Sequence, residues 1–179
     1  MFLLQRLDSS IRKLKSQIAN ALTLINLGFG ALAIIYVFHD QLRVGLLLIA
    51  IAAVFDRLDG AAARKFNATS ELGKQLDSLS DIISFGVAPA MLMYQAVLNE
   101  FGITGAIFAI IYIMCGALRL ARFNITESNA YFVGLPITAA GCILTFLTLF
   151  VNYIPVYVFM YIIIALSLLM VSPFRVRKI

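Results

Sequence analysis

Apolar residues in this chain run in stretches of about twenty, and each stretch stops at a short polar break. The breaks are Phe38-His39-Asp40, Asn67-Ala68-Thr69-Ser70, Asn99-Glu100-Phe101-Gly102, residues 122–132, and Asn152-Tyr153-Ile154-Pro155. A run of about 20 apolar residues is what a bilayer-crossing helix needs. Lipid offers the backbone no hydrogen bonds, so an open sheet or an irregular crossing is excluded. The pattern predicts an all-α polytopic membrane protein with six transmembrane helices, at about 18–38, 42–64, 70–98, 103–121, 133–151 and 156–171. The chain is 62% hydrophobic, against roughly 45–50% in soluble domains. No length remains for a separate soluble domain, so residues 1–179 read as one membrane-embedded domain, with 18–171 as the six-helix bundle.

Ahead of the first span, Leu3, Leu7, Ile11, Leu14 and Ile18 recur at spacings of three and four, with Arg12, Lys13 and Lys15 between them. This predicts an amphipathic helix over residues 1–17 lying in the membrane interface. The basic region is long and the following apolar run exceeds a cleaved signal's core, so no signal peptide is expected. Every basic residue except Arg43 falls on alternate connections, counting both termini. The positive-inside rule then places both termini, and the connection between spans two and three, on the cytoplasmic side of the cell membrane. Cys115 and Cys142 lie in apolar stretches and are expected as small buried hydrophobes rather than a disulfide. His39 is expected to be a solvated loop residue. Pro89 is expected to kink the third span, and Ser70 to cap its start.

Against that apolar background, four of the nine acidic residues crowd around one connection: Asp56, Asp59, Asp77 and Asp81. Carboxylates in or near a bilayer are expensive and need a counter-charge. Asp56 and Asp59 are three apart, and Asp77 and Asp81 four apart, so each pair shares one helical face. A short connection makes the two helices antiparallel neighbours, with both pairs at similar depth. Four converging carboxylates suit one or two divalent ions, because hard cations take oxygen ligands, and paired ions can clamp a phosphate in displacement. Gly60 lets a ligand approach the backbone, Arg64 offers a planar donor suited to phosphate, and Gly73 relieves crowding one turn before Asp77. Close helix packing would also account for the small residues, and Asp–Arg pairing for the carboxylates.

Asp56, Asp59, Gly60, Ala63, Arg64, Gly73, Asp77 and Asp81 fill the pattern D-x2-D-G-x2-A-R-x8-G-x3-D-x3-D. This resembles the signature of the CDP-alcohol phosphotransferase family at all eight fixed positions. Three further stretches resemble its membrane-integral phosphatidylserine synthase branch: Asn20 to Leu27, Leu118 to Asn124 and Phe132 to Ile137. The resemblance implies a six-helix membrane enzyme, usually a homodimer, that uses Mg²⁺ or Mn²⁺. It implies transfer of a phosphatidyl group from CDP-diacylglycerol to the hydroxyl of L-serine, with release of CMP and no nucleic-acid partner. By motif position Asp56, Asp59, Asp77 and Asp81 are implied metal ligands, with Asp81 also the base for the serine hydroxyl. Gly60, Arg64 and Gly73, with Thr23 and Asn26 of the first helix, are implied contacts of the CDP moiety.

Arg119 and Arg122 stand three apart at the cytoplasmic end of span four, at a depth to bind the serine carboxylate or a lipid phosphate; a headgroup anchor is the plainer role. Glycerol 3-phosphate or an inositol phosphate would serve the same chemistry as acceptor. From a different class, a divalent-metal transporter would also hold carboxylates, but such sites usually sit at the membrane midplane.

Overall fold

The computed structural model describes the backbone of residues 2–65, 70–125, 131–173 and 175–177, and the side chains of 17–65, 70–125 and 134–173. Seven α-helices dominate: α1 (Phe2–Phe38), α2 (Leu42–Lys65), α3 (Glu71–Asp81), α4 (Ala88–Ala96), α5 (Ile103–Ile125), α6 (Ile137–Leu147) and α7 (Val156–Val171). A π-helical segment, Ile82–Val87, joins α3 to α4 without a break in the helical path. Short 3₁₀ turns follow α4 and α6.

Three helical stretches among the described residues are long and apolar enough to cross a membrane: Gln17–Phe38, Glu71–Ala96 and Ile103–Ile125. Ile137–Phe150 and Val156–Val171 are shorter apolar helices. α2 is 24 residues long, but its apolar first half gives way to Asp56, Arg57, Asp59, Arg64 and Lys65.

Several boundaries differ from those read in the sequence. The expected interfacial helix and first span form one uninterrupted helix of 37 residues, because no glycine or proline occurs before Gly28 to divide them. The fifth helix begins at Ile137 rather than near 133. Residues Tyr131–Val133 (β1) instead pair antiparallel with Arg175–Arg177 (β2), Phe132 opposite Val176. Gly134 turns the chain with φ +73°, so tightly that a Cβ there would lie 2.5 Å from the Met170 carbonyl oxygen. The Leu135 N–H then donates to Leu169 at 3.0 Å. The expected 122–132 loop is therefore shorter at both ends, since α5 runs on to Ile125. The turn residues Asn67, Ala68 and Thr69 lie outside the described residues.

Packing follows the small residues. The inward stripe of α1 is Ala19, Thr23, Asn26, Gly30, Ala33 and Val37, spaced by three and four. Its large apolar residues, among them Leu24, Leu32 and Ile35, face outward. That inversion suits a lipid surround, where close backbone approach at small residues drives helix association. A Cβ at Gly45 would reach 2.8 Å from Val37, and one at Gly30 would overlap the Ser84 hydroxyl. The larger core joins Phe85 and Met93 to Tyr112, Ile137, Leu144 and Phe159. Cys115 is half-buried and Cys142 is exposed. The expectation of burial fails for Cys142, which sits on the outward side of α6, where an apolar environment can come from lipid. His39 is exposed, as expected.

Ser70 caps α3, its hydroxyl accepting from the Gly73 N–H at 3.0 Å. Ser70→Ala is expected to lower stability by about 1 kcal/mol. Thermal unfolding in detergent reads this directly, and an unchanged midpoint would remove the cap from the account.

Candidate active site

The two acidic pairs meet as their spacing predicts. α2 and α3 both pack on α1, and the carboxylates of Asp56 and Asp59 reach those of Asp77 and Asp81 across the space between them. One carboxylate oxygen from each of Asp56, Asp59 and Asp77 lies within 4.8 Å of the others. Asp81 stands one turn further along α3, its carboxyl beside that of Asp56. The set is thus a triad plus a fourth member joined through Asp56.

Asp59 is only 3% exposed. Its Oδ2 and the Oδ1 of Asp81 are buried with no hydrogen-bond partner among the described residues. Orphaned carboxylate oxygens of this kind are costly in an apolar bundle. Oxygen donors gathered this closely fit a hard divalent cation, which would satisfy those orphaned atoms.

A cavity of about 400 Å³ opens beside the triad. Its walls are the Ala19, Asn20 and Thr23 face of α1, the Asp59, Gly60 and Ala63 face of α2, and the start of α3 from Ser70 to Asp77. Thr23 is placed by its own helix: its hydroxyl donates to the Ala19 carbonyl at 3.1 Å and lies against the Asp59 carboxylate. Gly73 brings α3 against α1, since a Cβ there would stand 2.9 Å from Asn20 Oδ1. At Gly60 an added Cβ would meet nothing closer than Arg64 Nη1 at 3.5 Å. The arginine therefore lies over the glycine, and the open surface at Gly60 faces the cavity.

Thr23, Gly60 and Gly73, expected at the CDP moiety, line the cavity, and so do Asp59 and Asp77, expected as metal ligands. Asn26 lies elsewhere: it is fully buried one turn beyond Thr23, and both of its amide atoms lack a partner among the described residues. Ser80 and Ser84, on either side of Asp81, donate to the backbone carbonyls of Thr23 and Asn26, each at 3.2 Å. α1 is thereby fastened to the helix that carries Asp81.

The two arginines of α5 part company. Arg119 lies within electrostatic reach of Asp81, its Nε buried with no partner among the described residues and its guanidinium 5.9 Å from the Phe123 ring centroid. Arg122 donates to the Val171 carbonyl at 3.2 Å, at the end of α7. Asn124, next on that helix, donates to the Ser78 hydroxyl at 2.9 Å and so ties α5 to α3. Sequence reasoning missed Ser70, Glu71 and Lys74 as cavity residues, and it included Asn20 only within the stretch resembling the family's first helix without singling it out. The signal was present for Asn20, which precedes Thr23 by three and so shares its helical face.

An apolar helical bundle with carboxylates, an arginine and a cavity gathered at one end has the parts of a membrane-embedded phosphotransferase. Negative phosphate and hard cation can meet there while lipid surrounds the rest. The chain belongs to the CDP-alcohol phosphatidyltransferase family, whose sequence model matches residues 16–171. The chain is 40% identical over 132 residues to a CDP-diacylglycerol–serine O-phosphatidyltransferase of Bacillus subtilis, covering 73% of this chain and 75% of that one. An enzyme of the same name from Methanocaldococcus jannaschii is 44% identical over 135 residues, covering 75% and 61%. The archaetidylserine synthase of Methanothermobacter thermautotrophicus is 37% identical over 175 residues, covering 94% and 73%. The chain therefore spans between about six tenths and three quarters of these relatives. Serine is common to the three names, whereas the lipid is not.

Proposed function

We propose that this protein transfers the phosphatidyl group of CDP-diacylglycerol to L-serine, giving phosphatidylserine and CMP. The observation that carries the reading is the carboxylate triad beside a cavity walled by Thr23, Gly60 and Gly73. Residues of the eight-position signature and residues of the first helix meet there in one place. The donor's cytidine and pyrophosphate occupy the cavity, with Arg64 over Gly60 as a fixed positive partner for phosphate. Its acyl chains stay in the bilayer and enter between helices.

The serine hydroxyl oxygen attacks the phosphatidyl phosphorus, the bond from that phosphorus to the CMP oxygen breaks, and the hydroxyl proton passes to Asp81. Asp56, Asp59 and Asp77, with Asp81 beside them, would hold Mg²⁺ or Mn²⁺. A cation held there would supply positive charge to neutralise the pyrophosphate and to stabilise the departing CMP. Asp81 suits the proton transfer because one carboxyl oxygen is buried and unengaged, which leaves it available to a hydroxyl brought within hydrogen-bond reach. Arg119, facing Asp81, binds the serine carboxylate, and Arg122 contributes a second positive charge at that rim while it braces α7.

In the same reading the protein crosses the cell membrane six times as a homodimer. The N-terminal third of α1 lies at the interface, and both termini and the active site face the cytoplasm. The alternation of basic residues supports that orientation.

The deciding experiment is CMP release by purified protein in detergent, with CDP-diacylglycerol and Mn²⁺ or Mg²⁺, offering serine, glycerol 3-phosphate and an inositol phosphate separately. Release with serine alone is the expected result. Release with another acceptor would keep the family and overturn the acceptor. Metal binding without release under any acceptor would favour divalent-metal transport.

A further inference from the structure

Between Asp81 and Pro89 the third helical stretch widens into its π segment. Proline has no N–H, so the α-helical donor to the carbonyl four residues back, that of Phe85, does not exist. The helix answers by lengthening its reach: the Ala88 N–H donates to Ile83, five residues back. The Phe85 carbonyl turns outward and accepts from the Tyr112 hydroxyl of α5 at 3.2 Å. α6 closes over the same atom at Gly141, where a Cβ would come within 2.6 Å of the Phe85 oxygen. Tyr112 and Phe85 are both fully buried. In an apolar bundle a carbonyl without a donor is strongly disfavoured, so the tyrosine hydroxyl is what lets the widened turn persist.

The turn matters because of what stands on either side of it. One extra residue in a helix rotates the part before it against the part after it by about 100°. After it, Ala88, Ala90, Leu92 and Met93 are fully buried, which fixes the face of α4 in the core. Before it stand Asp77 and Asp81. With α4 fixed, relaxing the π turn to an α turn swings α3. The carboxylates then leave Asp56 and Asp59, and Ser80 and Ser84 lose the carbonyls of α1. Many buried tyrosines only fill space, but this one meets a carbonyl that Pro89 leaves without its α-helical donor.

We propose that Tyr112 is a positioning residue for Asp77 and Asp81, acting through the π turn. The inference rests on the proposed use of those carboxylates, and its test has a readout that does not depend on the acceptor. Tyr112→Phe keeps the ring and removes the hydroxyl. Mn²⁺ binding, followed by the loss of the free-ion paramagnetic resonance signal, is expected to weaken about 10-fold, and serine-dependent kcat to fall about 100-fold. Pro89→Ala returns a donor to Phe85 and relaxes the turn by another route, so it is expected to do the same. The double variant is expected to lose no more than the worse single one, because both act on one turn. A Tyr112→Phe protein with a lower melting temperature but unchanged Mn²⁺ binding and kcat would reduce Tyr112 to packing and overturn the proposal. So would losses that multiply in the double variant. If Tyr112→Phe does not fold, unchanged Mn²⁺ binding in Pro89→Ala overturns it alone. A Mn²⁺ shift in a protein that proves to use another acceptor would uphold this inference while refuting the serine reading.

Discussion

Asp81→Asn is expected to lower serine-dependent CMP release by about 10³-fold, the scale of a lost general base. The substitution preserves size and shape, so the α3 helix and its contacts with Thr23 and Asn26 should survive. It removes the ability to take a proton, while Asp56, Asp59 and Asp77 remain grouped within 4.8 Å. Mn²⁺ binding should therefore weaken far less than turnover, since three of the four carboxylates remain. Steady-state rates with saturating serine, beside a direct metal titration, separate the two effects. Turnover at the wild-type rate would take Asp81 out of the proton transfer. Equal losses of metal binding and turnover would make it a ligand first.

Asp59→Asn should divide stability from activity more sharply. Asp59 is buried at 3% exposure with Oδ2 unpartnered, and Asp56 and Asp77 stand close by. Without a cation, three negative groups repel one another in a medium that screens them poorly. Removing one charge is expected to raise the melting temperature of the metal-free protein, on the order of 5 °C for a gain of a kcal/mol or two. The same change is expected to weaken Mn²⁺ binding about 100-fold, since a direct ligand is lost. Thermal scans with and without chelator test both halves. Added Mn²⁺ should stabilise the parent protein strongly and the variant hardly at all. A variant that is less stable than the parent without metal would show that Asp59 is held by contacts rather than tolerated for its function.

Much of this site was legible in the sequence because helices make spacing into geometry. The intervals between Asp56 and Asp59, and between Asp77 and Asp81, survive as shared faces, and Ser70 caps the helix that its position implies. Thr23 was pointed to by the resemblance of the first helix to the family's, not by spacing. Asn26 shares its helical face, yet one more turn carries it past the cavity into the core. Depth along a span is not written in periodicity. The π turn was half legible: Pro89 announces a disturbed helix, but not that the helix before it widens into a π turn. That outcome depends on Tyr112 and Gly141, which arrive from helices formed much later in the chain. The β1–β2 pairing was not legible at all, because three-residue strands carry no alternation long enough to register.

The glycine contacts are unevenly distributed, and the unevenness sets how the molecule can breathe. Gly30 against Ser84, Gly45 against Val37 and Gly141 against Phe85 clamp backbone to neighbour at and beyond the π turn. Around the cavity the closest approach, at Gly73, is to the end of a movable side chain, Asn20. Helices clamped backbone to neighbour at one end, and tied toward the other by single hydrogen bonds such as Ser80 to Thr23, behave like tongs with their pivot near Gly30. Loading a bulky nucleotide then asks only for a small spread at the jaws, and the clamped end returns the carboxylates to the same place after each turnover.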